Sequence, residues 1–355
     1  MAELNYSSAD ITDMSNRVVD YSVPTQTLDV ASDTKETEWT NYDWPKQLGY
    51  YKTIPELQKS IGSLALWTVG KGYTSDDPTR ITLDRMRGWG EDSFTQIMWN
   101  MIVTKKISGD AFAEIIENDR GTLINLKPLN NEKMKTIVNA KGIIIRYEQI
   151  LLNGKTRRYK PEEIFHISND RLGDEIHGTS VIDACEWVIL ARNQAMEDWK
   201  KVQHRNVFPL RVIEVDSDDT IKIAKLKKDY EDAMNKGEVM IVPKGNVQIN
   251  DSNVVIQNAI EWIRYLENFF YTTVGVPRVI ANSEGFTEAG GKVGFLTFEP
   301  VYTWEQTQLE ADLWRQLALK IKFNRPPSLG GDLARDEAKE GAAVQPNDTT
   351  AGVGA

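Results

Sequence analysis

The chain has 355 residues, 41% of them apolar and 26% charged, and its net charge is −10 from 52 acidic and 42 basic residues. That length suits about two domains, and the balance is that of a folded chain rather than a disordered or fibrous one. A chain this acidic lacks the basic footprint of a tight nucleic-acid clamp. No run of 18 apolar residues marks a membrane span, and a single cysteine, Cys185, leaves no internal disulfide to form.

The lone cysteine suits a reducing compartment, and without a basic, then apolar, N-terminal stretch no secretory leader is expected. The charge is unevenly placed. Residues 1–40 hold eight acidic residues against Arg17 and Lys35, a net −6. Residues 324–355 are net −2, which leaves only −2 for the whole of 41–323. If such a core meets DNA, it lets the polyanion slide rather than gripping it.

Residues 1–40 are polar, acidic and without sustained periodicity, so they read as a flexible arm. The aromatic cluster Trp39, Tyr42, Trp44, Tyr50 and Tyr51 either docks that arm on a neighbour or packs on its own core. Ile54, Leu57, Ile61, Leu64 and Leu66 follow at helical spacing, as do Phe94, Ile97, Met98, Met101 and Ile107 after Ser93. The period then changes to that of strands: 111–116, 123–126, 135–138, 143–147, 150–152 and 164–167. Turns fall at Asn118-Asp119-Arg120-Gly121, Lys141-Gly142 and Asn153-Gly154. Two helices followed by a mostly antiparallel sheet make an α+β unit.

Ser180, as an N-cap with Asp183 in the first turn, opens a long helix to about Arg205, stopped by Phe208-Pro209. Residues 210–250 predict a small β-α-β module, too small to hold much core alone. A strand at 210–215 leads to a helix over 221–235, a second strand at 239–242 and a further one at 247–249. A helix over 254–274 follows, with Ile260, Ile263, Leu266, Phe269 and Phe270 on one face, and the paired long helices are expected to run antiparallel. Gly275-Val276-Pro277 ends it, because glycine permits the turn and proline forbids continuation. The charged segment from Ser283 to Lys292, with Gly290-Gly291 inside it, reads as a mobile loop. Helix resumes near Val293, is disturbed at Pro300, and continues through Trp304, Leu309, Leu313, Leu317 and Ile321. Residues 324–355 read as mostly disordered.

Enzymatic motifs are scarce. His166, His177 and His204 have no second His or Cys at metal-ligand spacing. Gly290-Gly291-Lys292 lacks the upstream glycine and following Ser/Thr of a phosphate-binding loop, and no nucleophile elbow is present. His166, between Phe165 and Ile167, reads as a hydrogen-bonded core histidine, and Cys185 as core packing. Asp170, Asp174 and Glu175 form either a solvated loop or a carboxylate site. No catalytic residue, metal or cofactor is expected.

In order, Gly109-Asp110-Ala111-Phe112-Ala113-Glu114-Ile115-Ile116, Leu126-Lys127-Pro128-Leu129 and Tyr159-Lys160-Pro161-Glu162-Glu163-Ile164-Phe165-His166-Ile167 lead to Gly178-Thr179-Ser180-Val181-Ile182. The series ends in Phe270-Tyr271-Thr272-Thr273-Val274-Gly275-Val276-Pro277-Arg278. By these strings the chain resembles the portal (head–tail connector) proteins of tailed bacteriophages and related viruses. The resemblance implies an N-terminal arm over 1–52, an α/β wing over 53–178, a first stem helix over 179–207 and a clip over 208–250. It further implies a second stem helix over 251–281, a tunnel loop over 282–293, a long bent helix over 294–323 and a tail over 324–355. Such proteins commonly continue into a helical crown, which 324–355 is too short to supply.

The resemblance also implies a ring, a dodecamer, around a double-stranded DNA channel at one capsid vertex, assembled in the host cytoplasm. Its partners would be the large terminase, head–tail adaptor or neck proteins and the major capsid protein. Glu284, Phe286, Glu288 and Lys292 would face the channel from the tunnel loop, with Lys200, Lys201 and Arg205 as stem-lining candidates. Rival readings are another virion structural protein, such as a minor head or baseplate protein, and a metal-dependent nuclease using Asp170, Asp174 and Glu175.

Overall fold

A computed structural model describes residues 36–139, 141–173, 175–207, 211–215, most of 220–228, 247–251, 259–281 and 288–326. The chain divides into two units: Met1–Glu186 with Phe270–Ala355, and Trp187–Phe269.

In the first unit, β1 (Glu36–Thr40) leads into α1 (Trp44–Thr53) and α2 (Pro55–Val69). Then come β2 (Tyr73–Ser75), α3 (Asp77–Arg85) and α4 (Phe94–Ser108). Six strands follow: β3 (Asp110–Glu117), β4 (Leu123–Pro128), β5 (Met134–Asn139), β6 (Ile144–Ile150), β7 (Thr156–Tyr159) and β8 (Ile164–Ser168). They form a three-stranded sheet in the order β4-β3-β8 and, with β1, a four-stranded sheet in the order β1-β5-β6-β7, with every pairing antiparallel. Phe112, Leu129, Met134, Tyr147, Tyr159 and Ile164 make a shared core.

Local chemistry explains these elements. Ser93 caps α4 in a capping box with Gln96, so two end donors are satisfied reciprocally. Asn118 Oδ1 accepts from the amides of Arg120 and Thr122, and Gly121 supplies φ +72°; Asn139 and Gly142 (φ +74°) repeat the device one hairpin later. Gly154, at φ +76°, closes the third turn. The strand expected over 150–152 is absent: Ile150 ends β6, and Leu151 and Leu152 belong to that turn.

Residues 36–52 correct the expectation of an arm reaching to residue 52. Glu36 and Glu38 stand on one face of β1 and pair with Arg146 and Lys135 across the sheet. Trp44, Gln47 and Tyr51 are buried on α1. The acidic composition that suggested solvent is here one half of a cross-strand charge ladder. The aromatic cluster therefore splits, with Trp44 and Tyr51 in the core and Tyr42 exposed.

α5 (Val181–Val207) begins in the first unit and continues into the second, which also contains the antiparallel pair β9 (Arg211–Val215) and β10 (Val247–Asp251). Residues 220–228 are helical where described. The strand expected over 239–242 lies outside the described residues, as do the acidic arm over 1–35 and the tail from 327. α6 (Ala259–Val274) returns the chain to the first unit. There α7 (Arg278–Ala281), α8 (Glu288–Leu317) and β11 (Ile321–Phe323) complete it.

Helix α8 begins at Glu288 and ends at Leu317, so both expected boundaries move. Its C-terminal end turns at Ala318 (φ +53°), and Ile321 belongs to β11, which pairs with β2 rather than extending the helix. Pro300 sits inside α8 without ending it, and the Thr303 hydroxyl donates to the carbonyls of Glu299 (2.7 Å) and Pro300 (3.1 Å).

Candidate functional site

Of the segment expected as a tunnel loop, residues 288–293 are helical. Glu284 and Phe286 lie outside the described residues, but Glu288 opens α8 and Lys292 stands half-buried one turn later. The glycines of this stretch serve packing. A Cβ on Gly294 would come within 2.2 Å of Val279 Cγ1, so α7 rests almost directly on the backbone of α8. Just upstream, Gly275 (φ +78°) closes α6, donating to Thr272 O, while Val276 donates to Tyr271 O. Helices α7 and α8, which flank residues 282–287 in the sequence, therefore touch each other.

In the second unit, Lys200 and Lys201 are exposed on α5, and Arg205 belongs to the same helix. Lys201 pairs with Asp198 at 3.3 Å, and Gln194 donates to both Asp198 oxygens at 3.0 Å. Those hydrogen bonds, Gln194's first and Lys201's second, hold the Asp198 carboxyl below its ordinary value. Mixed, locally neutralised charge of this kind does not trap a polyanion. The same unit holds an aromatic row that sequence periodicity missed. Trp262 stacks on Tyr265 (5.6 Å between ring centroids), Tyr265 meets Phe269 edge-on (5.2 Å), and Phe269 meets Trp187 (5.4 Å).

Back in the first unit, three of the strings quoted above meet in one joint at the start of α5. The Gly178 amide donates to both Asp110 carboxylate oxygens at 3.1 Å, and His166 Nε2 lies 2.8 Å from Asp110 Oδ1. His166 Nδ1 is 3.1 Å from the Tyr147 hydroxyl, and Phe112 stacks on its ring with 4.6 Å between centroids. Gln316 of α8 clasps the His166 backbone, accepting from its N–H (2.9 Å) and donating to its carbonyl (2.7 Å). Ser180 both caps α5, accepting from the Ile182 amide, and donates to Ile107 O. His166 is thus a hydrogen-bonded core histidine. Cys185 is fully buried, and burial pushes its thiol up.

A buried ion cluster ties α4 to α8. Glu305 accepts from Lys105 and from Lys106, the latter at 3.1 Å, and Lys106 also donates to Asn169 Oδ1 at 2.7 Å. Burial raises the Glu305 carboxyl, but the two ammonium groups outweigh it and hold the group below its ordinary value. The other acidic set is a turn: Glu175 Oε2 accepts from the Leu172 amide, Asp170 adopts φ +40°, and Asp174 lies outside the described residues. Among the described residues no group of His, Cys, Asp and Glu is placed to hold a metal ion.

The α+β fold, with its long helices, resembles that of chains in solved particle structures. A chain in the virion of the native gene transfer agent particle is 19% identical, with a TM-score of 0.65 over 86% of this chain and 91% of that one. A chain in the neck of the native particle, computed with C12 symmetry, is 18% identical at TM-score 0.66 with the same coverage. An HK97 family phage portal protein from Corynebacterium diphtheriae is 14% identical at TM-score 0.47, over 78% of this chain and 94% of that one. No curated protein sequence matches. The family model for the phage portal protein matches residues 60–334, and the chain belongs to that family. It is a viral portal protein, and the minor-head, baseplate and nuclease readings are not favoured.

Proposed function

We propose that the chain forms a closed ring, a dodecamer, at one capsid vertex, through which double-stranded DNA passes during packaging and ejection. The family match over residues 60–334 carries this reading, and the near-neutral charge of residues 41–323 supports it, since transit needs a wall without a deep electrostatic trap. In this scheme residues 53–178 form the wing and α5 with α6 the stem. Residues 208–250 form the clip that meets the large terminase and the adaptor or neck proteins, while the wing side meets the major capsid protein. Assembly takes place in the host cytoplasm, and ATP hydrolysis belongs to the terminase rather than to this chain.

The channel constriction is assigned to residues 282–287 with the first turns of α8. Glu284, Phe286, Glu288 and Lys292, repeated around the ring, would make stacked hoops. Lys200, Lys201 and Arg205 would line the stem above or below them. Because α7 and α8 hold each other through Gly294, shortening the connection should leave the fold intact. Deleting residues 283–287 is expected to spare rings in electron micrographs while cutting packaged DNA per particle severely. Loss of the rings themselves would show that the segment is an assembly element and would overturn the assignment.

A further inference from the structure

Helix α8 packs one face, which carries the buried Glu305, on its own subunit and leaves a second, largely uncharged face exposed. The inner face carries Phe295, Phe298, Tyr302, Leu309 and Leu313, all buried, with Trp67 of α2 against the first three. The outer face runs through Val293, Thr297, Pro300, Trp304, Ala311 and Trp314, at helical steps of three and four with one of seven. Trp304 is 63% exposed, Val293 58% and Trp314 53%. Of the nine exposed positions from Val293 to Arg315, only Arg315 is charged, and it is paired with Asp312. In a chain with 26% charged residues, a solvent face of this length without free charge is the signature of a surface that is covered in use.

The same unit offers a recess of matching chemistry. Pro55, Gln58, Lys59, Gly62 and Leu66 of α2, with Trp99 of α4, line a groove of about 330 Å³, which adjoins a second of about 350 Å³ at Leu66, Gly70 and Lys71. Gly62 leaves the floor open, with no heavy atom within 4 Å of where a Cβ would stand. Leu66 is 60% exposed. The charges at the rims are complementary: Lys59 and Lys71 line the groove, and Glu299 and Glu310 run along one border of the outer face of α8.

We infer that the outer face of α8 of one copy seats in the α2/α4 groove of the next copy, with Trp304 as its anchor. Two different surfaces of one chain that fit each other make a head-to-tail contact, and head-to-tail contacts that close make rings. The inference rests on the ring reading and names its seam.

The test uses the full chain. Cys185 is buried, so introduced cysteines report alone. Native mass spectrometry of the unaltered chain comes first, and failure to form rings there sinks the ring reading itself. Given rings, Lys59→Cys with Gln308→Cys, treated with a short bifunctional maleimide, should yield a covalent ladder of multimers, while neither single variant does. Rings without that ladder, or dimers from Gln308→Cys alone, would overturn the seam. Trp304→Asp should weaken each contact by at least about 30-fold, the loss expected for one buried interface tryptophan. It should leave folded monomers with an unchanged far-ultraviolet spectrum, and rings that persist in this variant would also overturn the proposal.

Discussion

Replacing Glu305 with alanine should lower the thermal midpoint by on the order of 10 °C, the consequence of about 3–5 kcal/mol lost when one member of a buried ion cluster is removed. The loss arises less from the missing attraction than from what remains. Lys105 and Lys106 keep their positions, with side chains only 8% and 12% exposed, and their shared counter-charge is gone. Lys106 retains Asn169 Oδ1, so Lys105 is the more exposed to this penalty. Replacing Lys105 with methionine and Glu305 with leucine together should therefore recover much of the stability, because a buried pair exchanged for apolar groups is often neutral. Calorimetry of the three variants at neutral pH decides the point; a double variant worse than Glu305→Ala would refute the account.

Acid offers an independent check on the same cluster. The Glu305 carboxyl is held below its ordinary value in the folded chain. Its contribution is therefore complete above the unfolded carboxyl pKa of about 4.3 and disappears as pH falls through the lower folded value. The stability gap between the parent chain and Glu305→Gln should narrow on acidification across that window. A gap that widens instead would mean the carboxyl is protonated more readily in the folded state.

The elements written in local pattern were legible. The N-cap at Ser180, the asparagine–glycine turns, the apolar runs of β3 and β8 and the stop at Gly275 each depend on residues a few positions apart, so period and turn chemistry suffice. Elements held by distant partners were not. Thr156-Arg157-Arg158-Tyr159 shows no apolar alternation and is a strand because β6 pairs with it. The three-residue strands β2 and β11 are too short to show any period. Gly290 and Gly291 read as breakers, yet both lie within α8, where Gly294 a turn on gives α7 its close approach. Of the candidate residues, Lys200 and Lys201 lie on the helix that their spacing predicts, whereas Lys292, read as part of a loop, lies inside α8. The Lys105–Glu305 contact spans 200 residues, and no window of sequence announces it.

The joint at the start of α5 should be the least tolerant place in the described chain. A Cβ on Gly178 would stand 2.2 Å from Gly109 O and 2.6 Å from both Asn169 N and Asn169 O. All three are backbone atoms, and all three are committed: Asn169 N donates to Gly109 O at 2.7 Å, and Thr179 N donates to Asn169 O at 2.8 Å. Nothing there can swing aside as a side chain would. Gly178→Ala is therefore expected to destabilise by roughly 3 kcal/mol or more, at the upper end for overpacking. Asp110→Asn removes charge but little volume and should cost less, about 1–3 kcal/mol, through weakened acceptance from Gly178 N and His166. The order of the two effects separates the causes. Urea unfolding supplies the energies, and hydrogen exchange at the amides of Gly178 and Thr179 locates the damage. If Asp110→Asn proved the more harmful, the carboxylate rather than the glycine contact would be what fixes the departure of α5 from the sheets.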